Sequence, residues 1–323
     1  RSDLTRWTRV RMDAVNQEVS AYLVRDEKAE TALKEKDPLA YQQSKYINDW
    51  GCFPLYRNTT TKYNKCGEDM FPDMLEALRN AEHFIFMEYH AIEDAEAFGR
   101  IKEVLAERSA SGVEVRIIYD DIGSVGFISP DFIKQMKKQG IECRVFNPMM
   151  PVINVFMNNR DHRKITVIDG KIGFTGGYNL ADEYFNIVHP YGEWKDTGLC
   201  IKGNAVRSLT VQFLEMWNTI KNTDTEFSRY FPDNPPADNA EGCIVPYGDC
   251  PLDDIYLGEN VYMNMIQIAL QVIINICVVT DIFPNTGIAL PFFSYGGTAL
   301  MIQLAEMGII LSVSRQIPAP KND

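Results

Sequence analysis

The stretch Asn158-Asn159-Arg160-Asp161-His162-Arg163-Lys164-Ile165-Thr166-Val167-Ile168-Asp169 decides how the chain is read. Residues 164–168 form a short β-type run, Asp169-Gly170 is a hairpin turn signal, and residues 172–175 return as a second strand. In an extended chain His162 and Lys164 put their side chains on one face. An imidazole beside an ammonium suits phosphate chemistry: the first attacks phosphorus and the second holds the non-bridging oxygens. The pattern is H-x-K-x4-D, followed after six intervening residues by Gly176-Gly177-Tyr178-Asn179. The two glycines admit close backbone approach, and the Asn179 amide can donate to the same oxygens.

Working outward, helices alternate with short apolar strands. Helical spacing over 71–81 leads into a strand at 83–89. A helix over 95–111 leads into a strand at 113–119, and one over 130–139 into a strand at 141–146. Beyond the hairpin come a strand at 197–201 and an amphipathic helix at 205–220, then an Asp, Asn and Pro-rich loop at 224–241. The expected fold is α/β, a mixed sheet flanked by helices. Residues 1–45 read as a polar helical lead-in or linker, with one helix-like stretch over 13–36.

The chain has 323 residues, 32 Lys+Arg and 44 Asp+Glu, for a net charge of −12. Only five charged side chains fall in residues 271–323, which leaves 30 cations and 41 anions before them. That acidic balance speaks against nucleic acid as a partner. The seven cysteines, at 52, 66, 143, 200, 243, 250 and 277, show no C-x-x-C spacing, so neither a disulfide framework nor a zinc site is expected. The chain begins at Arg1 without an apolar signal core, as a fragment or processed product does.

Together with Phe84-Ile85-Phe86-Met87-Glu88-Tyr89, Tyr119-Asp120-Asp121-Ile122-Gly123-Ser124, Gly176 to Tyr184 and Trp194-Lys195-Asp196-Thr197, the motif resembles the phospholipase D superfamily. Within that superfamily it is similar to the bacterial cardiolipin synthases over residues 46–265. The resemblance implies that His162 is the nucleophile or its acid partner, and that Lys164 and Asn179 bind phosphate beside Gly176 and Gly177. Asp169, the last member of the motif, is then a structural residue closing the hairpin. Asp196, ahead of Glu193, would orient an active-site imidazole. Glu88 is a further candidate, set against the plain alternative of a solvated strand end. The implied reaction moves a phosphatidyl group between phosphatidylglycerol molecules through phosphohistidine, with no metal or cofactor.

The superfamily's site takes two H-x-K motifs, and this chain has one. Of its four histidines, His83 and His90 lie in or beside an apolar strand, where packing is expected, and His189 precedes Pro190 in a loop. Either two chains pair to complete one site, or the chain is catalytically incomplete. The second reading is preferred, because cardiolipin synthases carry both motifs in one chain.

From residue 271 to 315 the text resembles the C-terminal end of the FtsW/RodA/SpoVE (SEDS) proteins, so the chain looks chimeric. Residues 260–280 and 282–305 lack charge, close to the length a spanning helix needs, and a helix is expected over 295–313. The expected layout is thus 1–45, 46–265 and an apolar, membrane-associated 266–323. It would sit at a bacterial cytoplasmic membrane with the catalytic domain on the cytoplasmic side. Competing readings are a catalytically inactive chimera and a phospholipase D-like phosphodiesterase active only as a homodimer.

Overall fold

The computed structural model describes residues 3–148, 160–233, 242–249 and 255–280. Its chain divides into two compact units, Arg1–Leu257 and Gly258–Asp323.

The first unit is built on a seven-stranded mixed sheet in the order β1-β7-β6-β5-β2-β3-β4. The strands are β1 (Thr59–Asn64), β2 (Phe84–Tyr89), β3 (Glu114–Asp120), β4 (Ile141–Phe146), β5 (Lys164–Ile168), β6 (Ile172–Gly176) and β7 (Gly198–Gly203). β2, β3 and β4 run parallel, while β5 runs antiparallel to both β2 and β6. Every residue of β2 is buried, as expected of a central strand covered on both faces. Ile85, Met87 and Tyr89 face α4 (Gly67–Arg79) and α5 (Glu96–Ala110). Phe84 and Phe86 face α8 (Val206–Ile220). The short α6 (Asp121–Ser124) follows β3, and α7 (Phe132–Lys138) packs on β4.

The β5–β6 hairpin turns through Asp169 and Gly170, at φ +53° and +64°. These two left-handed residues are the centre of a turn closed by the Lys171 amide donating to the Ile168 carbonyl at 3.0 Å, with Ile168 paired to Ile172 across the hairpin. The Asp169 carboxylate also accepts from the amides of Glu82, His83 and Phe84, each at 2.8 Å, which clamps the start of β2 to the turn.

The amino-terminal region differs from a single helix-like stretch over 13–36. α1 (Asp3–Val19) ends at a short 3-10 turn. α2 (Glu27–Lys36) and α3 (Pro38–Gly51) then start afresh, because Asp26 and Asp37 each accept a capping hydrogen bond from the amide three residues on. α1 lies along α8 and buries Val15 and Val19 in the α8-side core. β1 was not expected at all. Its Thr-Thr-Thr-Lys-Tyr-Asn text lacks an apolar alternation, and only its antiparallel pairing with β7 makes it a strand.

In the second unit the described helix is α9 (Leu257–Val279), 23 residues long. Among the described residues no helix is long and apolar enough to cross a membrane. The charge-free stretch 260–280 falls almost wholly within this helix. The helix expected over 295–313 lies outside the described residues.

Candidate active site

β5 begins at Lys164, whose backbone pairs with Tyr89 at the end of β2. The antiparallel pairing therefore brings the amino end of β5, with His162 just before it, to the carboxyl ends of the parallel strands β2 and β3. In open α/β sheets ligands are bound at that end.

A set of buried charges holds the approach to β5. Asp120, fully buried at the end of β3, accepts from the Gly123 amide and from Arg160 Nη1, each at 3.1 Å, and from the Asp161 amide at 3.1 Å. Asp161 Oδ1 in turn accepts from the Arg163 amide at 3.2 Å and from its Nε at 3.3 Å. Arg163 reaches on to Glu88 Oε1 at 2.8 Å. Three ion pairs, Arg160–Asp120, Arg163–Asp161 and Arg163–Glu88, together with the Asp161 amide bond to Asp120, thus fix the backbone that presents His162.

Lys164 is buried, and its Nζ donates to the His162 carbonyl at 2.8 Å. Burial pushes this ammonium down to about 8, against the pull of Asp161 and Asp196. His162 is exposed, yet its imidazole is held below its ordinary value, by partial burial first and then by Lys164 and His90. Asp161 and Asp120 pull the other way. A neutral imidazole beside a cation is the state in which nucleophilic attack on a phosphodiester is available.

Asn179 is buried, with Oδ1 accepting from the Ala91 amide at 3.2 Å and Nδ2 donating to the Tyr184 hydroxyl at 2.9 Å. One N–H of that amide is left for another acceptor. Gly176 has no room for a side chain, since a Cβ would sit 2.3 Å from the Thr197 carbonyl. At Gly177 a Cβ would come within 2.6 Å of Asp196 Oδ1. Asp196 Oδ2 is buried without a hydrogen-bond partner among the described residues.

The structure thus gathers His162, Lys164, Gly176, Gly177, Asn179 and Asp196 around one end of the sheet. It does not bring Asp169 or Glu88 into that group. Asp169 is at the opposite end of β5, occupied by three amides. Glu88 alternates with Tyr89, so it faces away from Lys164 and Thr166, and it is fully buried against Arg163 rather than solvated at a strand end. Burial and the nearby Asp161 push its carboxyl well above the usual range, with Arg163 opposing.

His83 and His90 also differ from the packing role expected of them. The His83 side chain is exposed, while the half-buried His90 ring lies against His162, with centroids 4.8 Å apart. His90, Asp120, Asp161 and Arg163 were not singled out as site residues. They become visible only with the β2–β5 register, which no local pattern in the sequence specifies.

The residues 160–164 line one edge of a cleft of about 840 Å³. Its other walls are largely apolar and include Phe146, Ile165, Leu199, Ile201, Leu209 and Met216. A smaller cleft of about 400 Å³, beside Thr60, Asp73 and Asn80, holds none of the residues above.

An imidazole and an ammonium at the start of β5 thus share one end of a mixed α/β sheet with a glycine pair and a buried amide. Residues 74–217 match the family described as "Cardiolipin synthase, PLD-like domain", and this part of the chain is such a domain. Residues 261–318 match a second family, FtsW/RodA/SpoVE, described as "Cell cycle protein". An uncharacterized protein of Streptococcus mutans is 40% identical over 251 residues, covering 78% of this chain and 54% of that protein. Cardiolipin synthase 2 of Staphylococcus epidermidis is 40% identical over 169 residues, covering 52% of this chain and 35% of its own length. The chain thus spans about half, or less, of the curated relatives it matches. Among solved structures, Nuc of Salmonella typhimurium, a phospholipase D family member, aligns at 19% identity with a TM-score of 0.38, over 52% of this chain and 95% of its own.

Proposed function

We infer that this chain carries one half of a phosphatidyltransferase site of the cardiolipin synthase type, with His162 as the attacking imidazole. His162 Nε2 attacks the phosphorus of phosphatidylglycerol, the bond to the glycerol oxygen breaks, and an imidazolium of a second copy gives that oxygen its proton, releasing glycerol. The hydroxyl of a second phosphatidylglycerol then returns its proton to that imidazole as its oxygen takes the phosphatidyl group from His162, breaking the N–P bond. Lys164 and the free N–H of Asn179 hold the non-bridging oxygens, and Asp196 orients an imidazole. Asp169 has a structural role, tying the hairpin to β2.

One observation carries this reading. It is the pairing of His162 with the buried Lys164 near Gly176 and Asn179, a set that suits a phosphodiester, while the choice of a lipid over a polyanionic chain follows the 40% identity to cardiolipin synthases. The net charge of −12 supports the same preference over nucleic acid.

A single H-x-K motif favours a second reading beside the first. Such a site lacks the partner imidazole that protonates the leaving oxygen, so activity requires two copies of the chain. Without pairing, the chain is an inactive join of a cardiolipin synthase half to the end of a FtsW/RodA/SpoVE-type protein. The proposed division is 1–45, 46–265 and 266–323, the last of these membrane-associated at the bacterial cytoplasmic membrane.

The test is incubation of the purified full chain with phosphatidylglycerol vesicles, measuring cardiolipin and glycerol. Product that disappears in His162→Ala supports the transferase. No product from the wild-type chain at any protein concentration leaves the inactive join.

A further inference from the structure

His90 places a second imidazole at the site, from outside the H-x-K motif. Its ring plane is tilted 52° to that of His162 at a centroid separation of 4.8 Å. Its Nδ1 lies 2.8 Å from the Asp161 carbonyl oxygen. A carbonyl oxygen only accepts, so Nδ1 carries the hydrogen and Nε2 alone is left to gain or lose a proton. The tether ends on the residue immediately before His162, so the two rings are referred to the same piece of backbone. On the other side, a Cβ at Gly123 would sit 2.9 Å from His90 Cε1 and 2.2 Å from its carbonyl oxygen. The turn after β3 therefore packs closely against His90, with no space for a side chain at position 123.

We propose that His90 is a positioning residue for His162: it braces the imidazole by ring contact and opposes its protonation, so that His162 rests as a neutral nucleophile. The proposal rests on the reading of His162 as the attacking group. Two rings in contact do not straddle a phosphate, so the arrangement suits bracing rather than in-line delivery of a proton to the leaving oxygen. Two imidazolium ions at this separation repel, and the pair resists taking up a second proton.

The remaining groups acting on His162 come from three elements. Lys164 adds a positive charge on the same strand, while Asp161 before β5 and Asp120 at the end of β3 favour protonation. Asp196, from the loop before β7, acts on Lys164. Burial, Lys164 and His90 together outweigh the two carboxylates.

The experiment follows the ring signals of His162 in the full chain by NMR across pH, for wild type, His90→Gln and His90→Phe. In wild type His162 should titrate below 6.5, with a curve broadened by coupling to a second imidazole. Glutamine can keep the donor to Asp161 without ever becoming charged. In His90→Gln the midpoint should rise by up to about 0.6 pH unit and the curve should become single-site. Phenylalanine keeps a ring but not the tether, and the His162 ring signals should broaden or split as its rotamers average.

A single-site wild-type curve at or above 6.5 overturns the proposal and needs no variant to fold. A midpoint unmoved in His90→Gln overturns it as well. The titration is read without turnover, so it separates from the transferase reading. Coupled titration without cardiolipin formation leaves His90 in place and removes the proposed function. Cardiolipin formation with uncoupled titration does the reverse.

Discussion

Lys164→Met is the substitution whose outcome the structure constrains most tightly. Lys164 is buried, and its ammonium is pushed from an ordinary 10.5 to about 8. At about 1.4 kcal/mol per pH unit, full conversion of that fall is about 3.5 kcal/mol of destabilisation by the charged form. Lys164 lies beside an open cleft where water screens the charge, so about half of that, ~1.7 kcal/mol, is the better figure. Methionine removes the charge and fills a similar volume, but it forfeits the hydrogen bond to the His162 carbonyl, about 1 kcal/mol. At pH 7 the variant should therefore match or slightly exceed wild type in stability, by at most about 1 kcal/mol, or roughly 2–4 °C in Tm. It should also lose binding of phosphate oxygens.

The pH dependence is the sharper test. Between pH 8 and 10.5 the unfolded chain holds the Lys164 proton and the folded chain has lost it. Stability of wild type therefore rises with pH through this window, while Lys164→Met gains nothing from the site. The difference between the two, measured by urea unfolding at closely spaced pH, should move by about 1.7–3.5 kcal/mol in favour of wild type. A flat difference across the window, together with a variant destabilised by more than about 1 kcal/mol at pH 7, would refute a buried ammonium held at an energetic cost.

Asp169→Ala should cost about 3 kcal/mol or more, because three amides at the start of β2 lose their acceptor at once; chemical denaturation of the variant reads this directly. Arg163→Met removes the cation that opposes the raised Glu88 carboxyl, so Glu88 should take up a proton and the loss should stay at about 1–3 kcal/mol, most of it recovered by adding Glu88→Gln in a double-mutant cycle. Gly177→Ala forces Asp196 Oδ1 to move from a Cβ position 2.6 Å away, and a crystal structure should show that carboxylate displaced with the sheet unchanged. His162→Ala should abolish any cardiolipin formation while leaving the melting temperature within a few degrees, since the side chain is exposed and gives the core nothing.

Much of the sheet is legible in the text because its strands are short apolar runs between helix ends. β4 and β5 fall on the expected residues, and β2, β3, β6 and β7 lie within one or two of them. β1 escaped because an edge strand of Thr, Lys, Tyr and Asn carries no burial pattern, and its identity rests on the backbone of β7. The break between α1 and α2 escaped because the aspartate that caps α2, Asp26, is no different locally from other acidic residues in a polar helix. Glu88 was weighed as a solvated strand end, and its burial against Arg163 depends on the face toward which β2 turns.

By itself the sequence determined the local chemistry: the spacing that sets His162 and Lys164 on one strand, the Asp169-Gly170 turn, and the glycine pair ahead of Asn179. These follow from backbone periodicity and residue type, which act over a few positions and need no partner. Only the tertiary structure decided which distant residues complete the site. The register that pairs Tyr89 with Lys164 carries His90 to His162 and Asp120 to Asp161, and it sends Glu88 to the opposite face. Register is set by the packing of two buried faces against helices drawn from the whole domain, so no short stretch of the chain encodes it.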